Sequence, residues 1–510
     1  MRLALVFAAW LPFGGALAYA LDSVDQPLVA RADDLKAAAT SLQPLLSKNA
    51  CIVLPADDEW DELQIRGTSP RIHPNYNVVV EVATEADVQK TVQIAAQFGI
   101  PFLAVAGTHG WTKTLNNLPF GIQINLRKLN STTVDKGGKT ATVGGGVLQW
   151  EATRALFAQN KQAGNPHYAF MHTPRKHATG GHSMLQARHG YAVDGLVSAR
   201  VVLANGTVVT ASSTVNPDLF WALKGAGHNF GIVTSMQLKV YDIQKNWTVY
   251  SFIYSSDKLE DLLTVVNRVD GNATRPANLV IAGVSARVAD IDPNNPLIVY
   301  TVSYEGPESE AAPYAAYFQS VGPLVTNTAT NVDYVALYTV TQNNLDSVAC
   351  RKNLNAMGSG TSLPIWNTTS ARAAFNVYTK LTADPRFAQS VFLLENYGMQ
   401  GVKAVDASST SLSLEERQYP IVANPTIWWN GTAPKDTADA MAYGEQIRQA
   451  LFAGLPKGAK KHTYVNYAVG TEGFEQMYGY DSARVTRLKA LKKVLDPKGR
   501  FNYYNPVPTV

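Results

Sequence analysis

The chain is poor in cysteine and in charge: of 510 residues, 2 are cysteine and 16% are charged. Cys51 and Cys350 cannot make a disulfide framework, so the fold must rest on packed apolar residues. The pair is either one bridge, tying the amino-terminal segment to the middle of the chain, or two separate thiols. A net charge of +4 without a lysine–arginine stripe gives no electrostatic footprint for nucleic acid, so no nucleic-acid partner is expected. There is no block of like charge, no low-complexity tract and no internal repeat, which argues against disordered tails, solenoids and propellers. After residue 20 no apolar run is long enough to span a bilayer.

Hydrophobic residues make up 46% of the chain, enough for two or three domains with sizeable cores. The first residues, Met1-Arg2 and then Leu3 to Ala20, combine a basic start, an apolar centre and a small-residue end. Pro12, Gly14 and Gly15 interrupt the apolar run, so it reads as a cleaved secretory signal (1–20) and no membrane anchor is expected. Six Asn-X-Ser/Thr sequons follow, at Asn130, Asn205, Asn246, Asn272, Asn367 and Asn430. With a signal they indicate a glycosylated protein, secreted or held in a secretory lumen or vesicle.

Residues 21–69 read as an irregular lead-in with one helix, Asp33 to Leu46. Asn77 to Val82 reads as a strand. Thr84 and Asp87 form a capping-box pattern that opens a helix to Phe98, with Val88, Val92 and Ala95 on one face. Gly99 ends it, and Ile100 to Val105 is a second strand, completing a β-α-β unit. Short strands are expected at Gly121–Leu126, Thr140–Val143 and Gly195–Leu203, with an Asn205-Gly206 hairpin into Thr207–Ser212, then a helix turn at Asp218–Leu223 and a strand at Ile232–Tyr241. From 246 to 455 longer strands such as Trp247–Tyr254 and Leu279–Ala286 alternate with helices such as Asp257–Val269 and Thr437–Phe452. This reads as a second α+β domain. A basic amphipathic helix, Ser482–Leu495, stops at Asp496-Pro497.

Several glycine-rich segments offer backbone N–H groups with no Cβ in the way: Gly144-Gly145-Gly146, Gly180-Gly181 and Gly225-Ala226-Gly227. Alone, each is also an ordinary tight turn. None is a Rossmann fingerprint, because Phe230 stands where the third glycine belongs and a strand follows. Gly138-Lys139-Thr140 imitates a P-loop ending, but Thr133 occupies the required earlier glycine position. Five of the nine histidines, His167, His172, His177, His182 and His189, crowd one stretch. Zinc sites use tighter spacing with cysteine or acidic partners, so no metal is expected.

Taken in order, NYNVVVEVATEADVQKTVQIAAQFGIPFLAVAGTHGW (75–111), GGHSMLQARHGYAVDGLVSARVVLANGTVV (180–209), NPDLFWALKGAGHNFGIVTSMQLKVY (216–241) and the end from Tyr464-Val465-Asn466-Tyr467 to Asn505-Pro506-Val507 resemble a known group. It is the berberine-bridge-enzyme-like branch, fungal type, of the vanillyl-alcohol-oxidase superfamily. The resemblance covers roughly residues 70–245 and 460–507. It implies an α+β protein: a PCMH-type FAD-binding domain of two α/β subdomains (70–245), a substrate domain with an antiparallel sheet (246–455), and a C-terminal segment (456–510) returning to the FAD domain. It also implies FAD linked covalently through His109. The cofactor would lie against Val105, Ala106, Gly107, Thr108, Gly110, Gly145, Gly146, Gly180, Gly181, His182, Ser183, Gly231, Ile232, Val233 and Asn505. Many members carry a second link from a cysteine at the position matching Tyr168. Residues 165–178 depart from that pattern, through real divergence or a local reading-frame error.

Oxidation of a substrate by flavin needs a group to take the substrate's proton. The resemblance implies Tyr467 as that base, with Tyr464 beside it, and Glu395 as the alternative. The expected activity is a two-electron oxidation of a small alcohol, amine or activated C–H centre, with O2 as acceptor, in fungal secondary metabolism, by a monomer. The rivals are a carbohydrate oxidase, in which Trp428 and Trp429 stack on sugar, and a flavin-less glycoprotein.

Overall fold

The computed structural model describes residues 28–68, 71–164, 179–347 and 350–508. The expected signal (1–20), and with it Tyr168, His167, His172 and His177, lie outside the described residues. The fold is α+β: among the described residues it is built on three larger sheets and a two-stranded one.

The β-α-β unit forms as the local signals dictate. Val78–Glu81 and Phe102–Val105 both run parallel to Ile122–Asn125, which lies between them. Helix Glu85–Gln97 crosses over from Thr84, whose hydroxyl accepts the Asp87 N–H while the Asp87 carboxylate accepts the Thr84 N–H. Val88, Val92 and Ala95 are buried, as their spacing predicts. Cys51–Val53 adds an antiparallel edge strand where the sequence reads as irregular. The lead-in helix runs Leu28–Leu42 rather than to Leu46, because Pro44 falls in a following 3-10 turn and cannot donate to an α-helix.

An antiparallel five-stranded sheet follows, in the order Thr132–Val134, Thr140–Gly144, Ile232–Lys239, Leu196–Val202 and Val208–Ser212. The Asn205-Gly206 turn joins the last two, with Gly206 at φ +79° and the Thr207 N–H held by the Asn205 side chain. Near residue 245 the chain enters an antiparallel sheet built round Trp247–Tyr254, Leu297–Glu305, Leu279–Ala286, Val391–Asn396 and Ile421–Trp429. Helices Leu259–Asp270, Thr368–Ala383 and Pro434–Phe452 pack on it through Leu262, Phe375, Tyr378 and Ile447 in one apolar cluster. Trp428 and Trp429 are buried in that same cluster, so core packing explains them and they offer no platform for a sugar ring.

The last segment returns to the five-stranded sheet, where Tyr478, Leu488 and Val507 share a core with Phe220 and Trp221. Helix Ser482–Leu495 buries Arg484, Leu488 and Lys492 rather than a purely apolar face. Lys492 and Asp496 are fully buried and pair at 2.6 Å, and the Asp496 carboxylate also accepts the Arg500 and Phe501 N–H groups. The two cysteines do not pair: Cys51 contacts the Glu81 carboxylate, and Cys350 accepts from the Ser347 hydroxyl.

Gly144 and Gly146 let the five-stranded sheet approach the backbone that leaves the parallel one, and Gly145 lies close against the neighbouring strand. A Cβ on Gly146 would overlap the Leu126 carbonyl oxygen, and one on Gly145 the Val233 carbonyl oxygen. Gly146→Ala should therefore destabilise the fold by about 1–3 kcal/mol, read as a shift in denaturant midpoint. An unshifted midpoint would mean that the two backbones do not approach this closely.

Candidate functional site: a cleft beside a tyrosine–glutamate pair

A cleft enclosing about 1230 Å³ of empty space, part of it open to solvent, lies where the parallel sheet meets the five-stranded one. One wall is the strand ending at Val105 and the turn Ala106-Gly107-Thr108-His109-Gly110. Thr108 sits at φ +50°, unusual for a side chain with a branched Cβ. The turn is braced from outside: the Gly67 N–H donates to the Thr108 carbonyl at 3.2 Å, and the Thr68 hydroxyl to the Gly110 carbonyl at 3.3 Å. Gly231, Ile232 and Val233 form the opposite wall, and Phe501, Tyr503 and Tyr504 close it from the C-terminal segment. Apolar rings and close backbone suit flat heterocycles. Arg66, Arg500, His109 and His228, with no Asp or Glu among the described lining residues, suit an anionic linker between them. The donor set fits a flavin dinucleotide.

Nine of the expected cofactor residues thus share one cleft: Val105, Ala106, Gly107, Thr108, His109, Gly110, Gly231, Ile232 and Val233. Gly145 and Gly146 stand behind its walls. Asn505 is fully buried next to Tyr504, where it accepts from the Thr112 hydroxyl at 2.7 Å and donates to the Val465 carbonyl at 3.0 Å. Gly180, Gly181, His182 and Ser183 do not line this cleft. They form a neighbouring turn in which the Gly181 N–H donates to the Tyr464 hydroxyl at 2.9 Å.

The proposed catalytic residues converge beside that turn. The Tyr467 hydroxyl donates to Glu395 Oε2 at 3.1 Å, and the Tyr397 hydroxyl donates to Glu395 Oε1 at 3.2 Å. Tyr467 and Glu395, alternatives in the sequence, are one hydrogen-bonded unit. Trp111 Nε1 donates to the Tyr467 carbonyl at 3.2 Å and its ring lies 6.3 Å from that of His109, so the turn carrying His109 is tied to this unit. Asn466, a cleft residue, donates to the Tyr464 hydroxyl at 2.6 Å. Burial pushes the Tyr464 phenol well above its ordinary range. Its oxygen accepts from the Gly181 N–H and the Asn466 side chain, so Tyr464 braces the turn. Tyr397 was legible in principle: it lies two residues after Glu395, the spacing that puts side chains on one side of a strand.

A buried ionic group lies behind this pair. Glu416 accepts from His182 Nε2 at 2.9 Å and from His462 Nε2 at 2.7 Å. The Gln186 side-chain nitrogen donates to the Gly398 carbonyl, so its oxygen faces His182 Nδ1 at 2.9 Å. The His182 ring stacks on Tyr397 at 4.5 Å. No local pattern announces Glu416 or His462, whose partners are remote in sequence. Among the described residues no group of three His, Cys, Asp or Glu side chains is arranged to hold a metal ion, and no helix is long and apolar enough to cross a membrane.

Burial alone would raise the Glu416 pKa, but the hydrogen bonds and charges of His182 and His462 outweigh it and hold the group at about 2 against an ordinary 4.5. A carboxylate that binds its proton less tightly when folded adds stability above its unfolded pKa and loses it as pH falls towards the folded one. Glu416→Gln should be less stable than the parent at pH 7 by about 3 kcal/mol. That gap should close as pH falls from about 4.5 towards about 2, in denaturant midpoints taken across the range. A gap that stays constant in acid would contradict the ionised pairing.

A family profile described as FAD binding domain matches residues 76–212. The FAD-linked oxidoreductase chyH of Penicillium rubens is 34% identical over 473 residues, covering 91% of this chain and 93% of its own. The FAD-linked oxidoreductase anuG of Penicillium roqueforti is 32% identical over 471 residues, covering 91% of each chain. Among solved structures, the xylooligosaccharide oxidase from Myceliophthora thermophila C1 shares the fold at TM-score 0.79 and 20% identity, over 94% of this chain and 99% of its own. With a cleft whose walls fit a flavin dinucleotide and relatives of this extent, the chain belongs to the FAD-linked oxidoreductases of the berberine-bridge-enzyme-like, PCMH-type family, and its cofactor is FAD.

Proposed function

We propose that this protein is an oxidase that removes two electrons from an alcohol, amine or activated C–H centre of a small organic metabolite, with O2 as electron acceptor and hydrogen peroxide as product. The observation that carries the reading is the Tyr467–Glu395 hydrogen bond beside the cleft. Bound FAD supplies the two-electron acceptor. Tyr467 takes the substrate's proton on its hydroxyl oxygen while passing its own proton to Glu395 Oε2, 3.1 Å away. A phenolate beside a carboxylate would be costly, and this relay avoids it, because Glu395 ends neutral. Tyr397 holds the other oxygen of Glu395 and fixes the carboxylate's orientation. Glycine backbone and Trp111 bring the relay against the turn carrying His109, which we assign as the covalent tether.

We place the substrate among fungal secondary metabolites, a reading in keeping with similar FAD-linked oxidoreductases that come from fungi. Trp428 and Trp429 are core residues and do not argue for a sugar; the sugar alternative is supported instead by solved oligosaccharide oxidases that share the fold. The open cleft speaks against a flavin-less glycoprotein. We also propose a monomeric, glycosylated protein of the secretory route: all six sequon asparagines, Asn130, Asn205, Asn246, Asn272, Asn367 and Asn430, are exposed.

A substrate found by peroxide-coupled screening of phenolic alcohols, amines and oligosaccharides permits the decisive kinetic test. Tyr467→Phe and Glu395→Gln should each slow anaerobic flavin reduction by about 10²–10⁴-fold. The double variant should be no slower than the worse single one, because the two groups act as a unit. Full-rate reduction in Tyr467→Phe would remove Tyr467 from the proton path.

A further inference from the structure

Glu395 belongs to a row of side chains on one face of the large sheet. Registered neighbours on antiparallel strands share a face, as do alternate residues along each strand. Glu395 stands opposite Ala282, which stands opposite Thr301. Leu393, Val284 and Val299 make the next row in the same way. The other face of these strands is covered, with Ile281, Tyr300, Phe392 and Leu394 buried in the cluster that includes the helices. The face of Glu395 is covered at one end, where Val249 and Val280 share a cluster with Met184 and Leu185, just after the Gly180-Gly181 turn. Further along the strands the cover thins, and Ala282, Val284, Val299, Thr301 and Leu393 are only half-buried. A shelf therefore starts at the Tyr467–Glu395 pair and runs outward over three strands, about 10 Å at the usual strand spacing.

The shelf is apolar. Apart from Glu395, neither row carries a charged side chain across these three strands. The Thr301 hydroxyl donates to the Ala282 carbonyl at 3.1 Å, so its proton is used within the sheet. Asn424, opposite Leu393, is fully buried and committed elsewhere: its Oδ1 accepts the Ser359 N–H at 3.0 Å, and its Nδ2 donates to the Thr426 hydroxyl at 2.9 Å. A polyol or an ion laid on this surface would lose water without gaining partners. An apolar body would leave water together with the side chains it covers. We propose that the shelf carries the body of the substrate, and that the substrate is an uncharged molecule with an apolar ring system or chain, its oxidisable carbon presented to Tyr467 and Glu395. Val284 and Leu393 are then specificity-determining residues. The inference rests on the oxidase reading of that pair and narrows it, separating an apolar metabolite from a charged one and from an oligosaccharide.

The test uses the full-length flavin-bound protein and probes that cannot be oxidised at an alcohol carbon: benzamide, 2-naphthamide, 6-carboxy-2-naphthamide and, as the sugar, methyl β-xylobioside. Binding is read from the perturbation of the flavin absorbance. The second ring of 2-naphthamide should tighten binding about tenfold over benzamide. The distal carboxylate should cancel that gain, and the xyloside should bind no better than benzamide. Leu393→Asn and Val284→Thr should each weaken 2-naphthamide several-fold and leave benzamide unchanged. Should Leu393→Asn fail to fold, Val284→Thr decides, because it keeps the size of the side chain. Equal affinity for benzamide and 2-naphthamide, preference for the carboxylate or the xyloside, or no binding by any probe overturns the shelf. Anaerobic flavin reduction by 2-naphthalenemethanol reads the oxidase proposal separately: the expected binding order without reduction supports the shelf and counts against that alcohol chemistry alone.

Discussion

The structure depends on how the segment His462–Tyr467 is held between the other parts of the chain. His462 binds Glu416, Tyr464 receives the Gly181 N–H, the Tyr467 hydroxyl binds Glu395, and the Tyr467 carbonyl receives Trp111. These contacts reach the large sheet's domain, the Gly180-Gly181 turn and the turn after His109. One short stretch therefore sets the distance between the cofactor cleft and the Tyr467–Glu395 pair. The proposed proton relay needs such a segment to be rigid, because it works only at hydrogen-bond reach.

Rigidity here comes from buried ions that are paired rather than from apolar packing alone. Glu416 with His182 and His462, Lys492 with Asp496, and Arg417 with Asp194 are all nearly excluded from water. Buried pairs of this kind add little net stability over apolar packing, but removing one partner leaves an uncompensated charge. The Glu416 and Arg417–Asp194 pairs, which join residues remote in sequence, therefore enforce one arrangement of those segments.

Much of the fold was legible because its signals are local. The capping box at Thr84 and Asp87, the face Val88, Val92 and Ala95, the Asn205-Gly206 turn and the helix from Ser482 to Leu495 each follow from residues a few positions apart. The chain from Val105 to Gly110 was legible through its resemblance to relatives. What sequence left hidden is long-range. Glu395 and Tyr467 are 72 residues apart, and His182 and Glu416 are 234 apart, so no spacing rule pairs them. The edge strand Cys51–Val53 is too short to show a period, and it forms because Val78–Glu81 offers a free edge. Arg66 looks like any loop arginine until the fold turns it to the cleft.

The measurement that tests the account most directly is acid denaturation of the protein made in a glycosylating host, followed by flavin absorbance of the pellet and mass analysis of its peptides. The account predicts that yellow colour stays with the polypeptide, that the flavin mass maps to the peptide bearing His109, and that His109→Ala releases it. A native preparation with no flavin absorbance would contradict it, because a cleft that does not hold FAD leaves the Tyr467–Glu395 pair with no oxidation to serve.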